Sequence, residues 1–252
     1  MTQILMEIYP IVQAECYGNG VYQLIRKCKG TLQMIIPERG KIRRCTKSSL
    51  LRLMAIMQST EVRFKSMLTL TYPAIYPDDG EDVKKDISAL LQKFRRMRLG
   101  EYLWFLEFQK RGAPHFHILT ELDVITPKLR ADIGLYWAGR IAQSDWLFNK
   151  HLEADDYIRH VNNAVKVATH DKSFELLRDA DSAKKYAMSY ASKERQKTVP
   201  KQFKNVGRFW GASDGVKPET VTIDTSEEEI RAFLLAAGYK VADFLDLPKY
   251  IW

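Results

Sequence analysis

A single hairpin constrains this chain more than any other stretch. Residues 101–122, EYLWFLEFQKRGAPHFHILTEL, place two aromatic and apolar runs, 102–109 and 115–122, around a polar connection carrying Gly112 and Pro114. That pattern predicts two antiparallel strands joined by a longer loop. Strand side chains alternate, so His115 and His117 share one face while Phe116 and Ile118 take the other. If Gln109 pairs with His115, Glu107 lies directly across from His117, with Cβ atoms about 5 Å apart. The expectation is a triad of Glu107, His115 and His117 on one face, with an open side for water or substrate. Two imidazoles and a carboxylate are a donor set for a divalent ion. The same histidines also suit a plainer role as solvated or hydrogen-bonded strand residues, and the hairpin alone does not choose.

At 252 residues the chain is long enough to bury a sizeable core, as one large domain or one domain with extensions. Its 46% hydrophobic and 28% charged residues are a globular balance. No apolar run approaches the ~20 residues that span a bilayer, so no membrane partner is expected. The start, MTQILMEIYP, lacks a basic segment followed by an apolar one and does not read as a signal peptide. Cys16, Cys28 and Cys45 have no C-x-x-C spacing and read as reduced thiols, which points to the cytoplasm. The net charge of +8 is concentrated: residues 22–53 carry nine Lys/Arg against Glu38, and residues 184–208 carry eight against Glu194. Such segments suit a polyanion, although charge alone also describes a solvated basic face.

Around the hairpin the pattern reads strand, helix, strand pair, helices, strand. Residues 64–72, FKSMLTLTY, alternate as a strand with Leu68 and Leu70 on one side and Thr69 and Thr71 on the other. Residues 47–59 and 79–99 carry helical apolar stripes. Residues 126–143 read as a helix with Thr126 as N-cap and Pro127 in the first turn. Residues 146–178 read as polar and mostly helical, with His151, His160 and His170 as structural or surface residues. Residues 181–196 form a further helix, which puts Tyr186 and Tyr190 on one face with Lys193 on the same side. Short strands are expected at 21–28, 31–36, 206–213 and 221–223, and a capped helix after Ser226. The fold class is α+β, a central, largely antiparallel sheet with flanking helices. The expected division is a basic N-terminal extension over 1–60, a main domain over 61–214 and a C-terminal extension over 215–252 packed on it.

A helix with one or two tyrosines lying over a sheet face that holds a cation has a definite chemistry. A tyrosine hydroxyl, with a free pKa of about 10, is a weak nucleophile that a cation assists by polarising the attacked phosphate. Phosphoryl transfer through a tyrosine ester fits that arrangement. Two tyrosines at this spacing also occur as packed structural residues.

These elements resemble the HUH endonucleases, and in particular the rolling-circle replication initiators of filamentous phages and small plasmids. His115-Phe116-His117 matches the histidine–hydrophobe–histidine motif, residues 64–72 the first strand motif, and Tyr190-Ala191-Ser192-Lys193 the YxxK motif. Glu107 stands where several members place a third metal ligand. Tyr186, Tyr190 and Lys193 together resemble the paired-tyrosine form of phage initiators, with Ser189 where those often carry Lys. The segment 196–211 is similar to the sequence that follows the tyrosine helix. The resemblance spans about residues 64–211 and implies an HUH endonuclease fold with a ferredoxin-like, RRM-like core.

It further implies that Glu107, His115 and His117 hold Mg²⁺ or Mn²⁺ at the scissile phosphate. A tyrosine, Tyr190 first for its YxxK context and Tyr186 as a second, attacks single-stranded or extruded origin DNA. It becomes linked to the 5′ phosphate and frees a 3′ hydroxyl for host polymerase. Lys193 contacts the phosphate or manages the phenol proton. Lys184, Lys185, Arg195 and Lys197 flank the tyrosines and track the DNA backbone, with Arg208 and the basic approach at Arg43 and Arg44 as further contacts. The setting implied is a bacterial host cytoplasm. A transposase or relaxase would use the same chemistry. A zinc hydrolase using the His–His–Glu set and a non-catalytic DNA-binding repressor are the rival classes. No GxxxxGK[ST] phosphate loop occurs, so no nucleotide cofactor is expected and unwinding falls to a host helicase. Purified protein is therefore expected to show no DNA-dependent ATP hydrolysis; measurable phosphate release on adding DNA would contradict this.

Overall fold

The structure is a computed structural model that describes residues 11–17, 21–27, 42, 45–179, 181–192, 198–217 and 220–225, with the single positions 229 and 232. The expected strand at 31–36, most of the expected helix after Ser226 and the tail beyond it lie outside the described residues. The chain divides into two compact units, 39–217 and a second built from 1–38 and 218–252.

In the smaller unit β1 (Ile11–Tyr17) pairs antiparallel with β2 (Val21–Lys27) and with a late strand, Thr220–Thr225. The larger unit opens with α1 (Lys47–Ser59), β3 (Ser66–Thr71), α2 (Gly80–Met97), β4 (Tyr102–Phe108) and β5 (Pro114–Thr120). It continues with α3 (Pro127–Ala142), the single turn α4 (Asp145–Phe148), α5 (Ala154–Ala168), β6 (Phe174–Leu176), α6 (Ser182–Ser192) and β7 (Trp210–Ala212). The boundary at residue 39 puts α1 inside this unit.

Its helices start where polar side chains replace missing backbone partners. Thr46 accepts from Ser49 N at 3.2 Å, Asp79 from Glu81 N at 2.8 Å and Thr126 from Leu129 N at 3.1 Å. α2 also carries Glu81 and Asp82 in its first turn and Arg95 and Arg96 in its last, which complements the helix dipole. Gly80 opens α2 because a Cβ there would lie 2.0 Å from the Asn205 carbonyl oxygen.

Five strands form one antiparallel sheet in the order β6-β3-β5-β4-β7. β5 runs antiparallel to both β3 and β4, so those two are parallel to each other with β5 between them. β6 then returns on the far side of β3. This is the split β-α-β arrangement of a ferredoxin-like core, with β7 added at the edge of β4. The expected α+β class with an antiparallel sheet is the architecture observed. β6 is the strand the sequence reading missed: three residues in a polar region are too few to show a period of two. The strand expected over 206–213 is limited to Trp210–Ala212.

The two faces of the sheet are covered differently. Leu68, Leu70, Trp104, Leu106, Phe116 and Ile118 form one core with Val83, Ile87 and Leu90 of α2 and Ile133, Trp137 and Ile141 of α3. Leu103, Phe105 and Leu119 on the other face form a second core with Leu53, Ile56 and Met57 of α1 and Ala183, Ala187 and Tyr190 of α6. Tyr102 and Trp104, candidates for stacking on bases, are buried in the first core, and Trp210 packs at the edge of the second.

The first core carries one buried carboxylate. Asp86 of α2 is fully buried and accepts from Tyr72 Oη at 3.0 Å, Trp146 Nε1 at 3.0 Å and Arg140 Nε at 3.0 Å. Burial raises its pKa, while those three donors oppose the shift. The contact joins the end of β3 to α2, α3 and α4. Asp86→Ala leaves three donors without their acceptor and is expected to cost about 3 kcal/mol or more, as a lower urea midpoint at unchanged slope.

Candidate active site

The second face of the sheet changes character along the strands. Across β3, β5 and β4, Met67, Leu119 and Leu103 lie side by side. The next same-face row is Thr69, His117 and Phe105, and the third is Thr71, His115 and Glu107. Apolar side chains therefore occupy the end beneath α1 and α6, and polar ones the end toward the β4–β5 loop. Strand alternation sets this, because β5 contributes Leu119, His117 and His115 in steps of two.

The register corrects the sequence expectation by two residues. Glu107 pairs with His115, and Phe105 pairs with His117. The reason lies in the loop: Phe108 pairs with Pro114, and Gln109 N donates to the Ala113 carbonyl at 2.9 Å. Gly112 takes a φ of +86°, which allows its N–H to bond the Gln109 carbonyl at 2.8 Å. Parity is kept in a two-residue shift, so Glu107 stays on the histidine face. Its Oε2 lies 3.6 Å from His117 Nε2 along the diagonal.

Each histidine has a neighbour on its Nδ1. His117 Nδ1 lies 3.2 Å from Thr69 Oγ1, which leaves Nε2 directed at Glu107. His115 Nδ1 lies 3.4 Å from Gln109 Nε2. The imidazole rings meet edge to face with centroids 4.5 Å apart. Burial first, and His117 second, push the pKa of His115 down to about 4, so it is neutral at physiological pH. Glu107 and His117 have the chemistry and spacing of two ligands to one divalent ion, and His115 adjoins them with a third donor. As the side chains stand, no group of three His, Cys, Asp or Glu among the described residues gathers round a common point.

The tyrosine helix lies on the same face. The Ser182 hydroxyl bonds Asp179 Oδ1 at 2.9 Å at the start of α6, and the buried Ala183, Ala187 and Tyr190 form its inner stripe. The small alanines bring the helix close to the sheet. Tyr186 packs on Phe105 and His117, with ring centroids 5.4 and 5.1 Å away. Tyr190 packs on Phe105 at 4.8 Å, and its hydroxyl donates to the carbonyls of Leu106 at 3.1 Å and Phe209 at 3.0 Å. These carbonyls sit where the chain approaching β7 joins β4, since Leu106 N also donates to Phe209 O at 2.7 Å. Burial, reinforced by Glu107, raises the pKa of Tyr186 far above the usual phenol range. Burial raises that of Tyr190 as well.

Of the other expected contacts, Lys184 and Lys185 are exposed on α6 and Arg208 is exposed before β7. Lys193, Arg195, Lys197, Arg43 and Arg44 lie outside the described residues. The remaining histidines serve the scaffold: His160 is buried in α5, and His170 Nδ1 accepts from Lys172 N at 3.1 Å. Gln109 and Arg111, which the sequence reading left as loop residues, adjoin the site. The signal available for them was a polar side chain one strand step beyond Glu107.

Residues 65–195 match the model of a family described as replication-associated protein ORF2. Comparison with curated proteins finds no match. Among solved structures, the chain is similar to the N-terminal nuclease domain of the minute virus of mice non-structural protein-1 at 14% identity and a TM-score of 0.26. That alignment covers 68% of this chain and 66% of the viral one, and so loose a superposition carries no structural argument. No helix among the described residues is long and apolar enough to cross a membrane.

The hydrogen bonds of Tyr190 generate a stability prediction. Tyr190→Phe removes donation to two buried carbonyls and is expected to cost about 1–2 kcal/mol, measured by urea unfolding. An unchanged midpoint would show that the hydroxyl does not tie α6 to the sheet.

Proposed function

The chain belongs to the replication-associated protein ORF2 family, a rolling-circle Rep family of the HUH superfamily, and we propose that it nicks one strand of origin DNA through Tyr186. The observation that carries the assignment is the packing of the Tyr186 ring against His117, with centroids 5.1 Å apart. Tyr190, four residues on, points its hydroxyl into two backbone carbonyls. This reverses the order expected from the YxxK context. Tyr190 enters a second transfer only if those two hydrogen bonds release.

Glu107 and His117 hold a divalent ion, Mg²⁺ or Mn²⁺, with His115 turning in as the third ligand. When bound, the ion polarises the scissile phosphate and offsets the charge that gathers on it. Thr69 orients His117 through Nδ1, the outer-shell role that fixes an imidazole for ligation. The Tyr186 oxygen forms a bond to phosphorus as the bond from phosphorus to the 3′ oxygen breaks. The phenol proton leaves as attack proceeds, and the departing 3′ oxygen gains a proton to become a hydroxyl. Because burial raises the Tyr186 pKa, the phenol is protonated at rest and needs a proton acceptor during attack. Lys193, three residues beyond Tyr190, is the residue the family motif offers for that role or for holding the phosphate.

Single-stranded DNA is the substrate this chemistry suits, because a duplex would not present its scissile phosphate to a nucleophile on a packed helix. Lys184 and Lys185 on α6, together with Arg208, contribute charge for the DNA backbone. Host helicase and polymerase complete the replication reaction. Affinity for DNA is expected to fall as salt rises.

The deciding experiment incubates purified protein with labelled single-stranded origin DNA and Mn²⁺ and looks for a covalent adduct on denaturing gels. Wild type and Tyr190→Phe are expected to form it; Tyr186→Phe and His117→Ala are expected to lose it by at least 100-fold, in line with the loss of a covalent nucleophile. Cleavage without an adduct would favour a metal-activated water instead. An adduct kept by Tyr186→Phe and lost by Tyr190→Phe would reverse the assignment.

A further inference from the structure

The β4–β5 loop holds a side-chain relay that ends on a histidine of the site. Arg111 Nε donates to Gln109 Oε1 at 2.9 Å, and Gln109 Nε2 lies 3.4 Å from His115 Nδ1. A guanidinium has donors only, so the Gln109 atom facing it is the carbonyl oxygen. The atom facing His115 is then the amide NH₂, also a donor. His115 Nδ1 must therefore accept, and a neutral imidazole with a lone pair on Nδ1 carries its proton on Nε2.

Arg111 is itself held. Its two terminal nitrogens donate to the carbonyls of Tyr72 and Pro73, and its guanidinium lies 5.2 Å from the centre of the Tyr76 ring. The Tyr76 hydroxyl donates in turn to the Arg111 carbonyl. The amide of Gln109 is thus oriented from a rigid base. This accounts for the failure of three donors to gather round one point: an Nε2 that carries a proton has no lone pair for a cation.

We propose that Gln109, oriented by Arg111, is a positioning residue that holds His115 as the Nε2–H tautomer, so that His115 joins a divalent ion only when the Gln109 amide turns away. The loop thereby sets how tightly the site binds its ion. This rests on the reading of Glu107, His115 and His117 as a metal site. In the resting arrangement Glu107 and His117 alone offer ligating atoms, and His115 offers an N–H. Recruiting His115 moves its proton to Nδ1, where the amide must present oxygen rather than NH₂, and the bond from Arg111 Nε to that oxygen breaks.

The test is Gln109→Glu, which places an acceptor on both sides of the same side chain. A carboxylate takes the Nδ1 proton and frees Nε2, the arrangement in which outer-shell carboxylates raise the basicity of a ligating histidine. Long-range ¹H–¹⁵N spectra of metal-free wild type are expected to show His115 as Nε2–H, and those of Gln109→Glu as Nδ1–H. Mn²⁺ titrated calorimetrically into each protein is expected to bind Gln109→Glu about tenfold more tightly. Gln109→Leu, which removes the donor without adding an acceptor, should fall between the two. An Nδ1–H tautomer in wild type, or equal Mn²⁺ affinities for wild type and Gln109→Glu, overturns the proposal. If the wild type shows either result but still forms the Tyr186 adduct with DNA, this inference fails alone. If neither protein binds Mn²⁺, this inference and the metal reading of the site fail together.

Discussion

The site depends on one strand being hydrogen-bonded along both edges. β5 pairs with β3 on one side and β4 on the other, and no slip is possible on one side without breaking the other. A one-residue shift would send His115 and His117 into the core now filled by Phe116 and Ile118. Burying two imidazoles there would cost several hydrogen bonds, and exposing Phe116 and Ile118 would lose about 2 kcal/mol or more for each side chain. The apolar face thus dictates the phase of the polar one. The histidines share a face because their neighbours do.

The same face explains why one helix can serve both stability and chemistry. α6 must cover Leu103, Phe105 and Leu119, yet its neighbouring row contains His117. Four residues of helix advance about 6 Å, close to the two-residue step of a strand. Two tyrosines four apart therefore meet different surroundings on the sheet. Tyr190 reaches the seam between β4 and the chain entering β7, where backbone carbonyls take its hydroxyl. Tyr186 lies over Phe105 and His117. Sharing a helix face does not make two residues equivalent when the surface beneath changes from apolar to polar.

Much of this was legible along the chain. The helix over 47–59 has the expected bounds, because an apolar stripe and a capping threonine agree. α2 and α3 are likewise bounded by Asp79 and by Thr126 with Pro127. The shared face of Glu107, His115 and His117 follows from alternation. The pairing partner of Glu107 did not follow, because loop geometry decides it: Gly112 in a left-handed conformation closes the loop one residue earlier on each strand than the simplest pairing suggests. β6 was illegible because it is three residues long and exists only by pairing with β3.

What the sequence by itself determined is the inventory and the order: a strand pair with the carboxylate and both histidines in phase, a later helix with two tyrosines, and the motif resemblance that joins them. These are local properties, set by periods of two and of 3.6 residues and by caps. Tertiary structure decided which tyrosine faces the histidines, which histidine faces Glu107 across the strands, and that Gln109 and Arg111 reach His115 at all. Those are distances between residues far apart in sequence or across a loop. They depend on how the helix sits on the sheet and how the loop closes, and no periodicity within one segment encodes either.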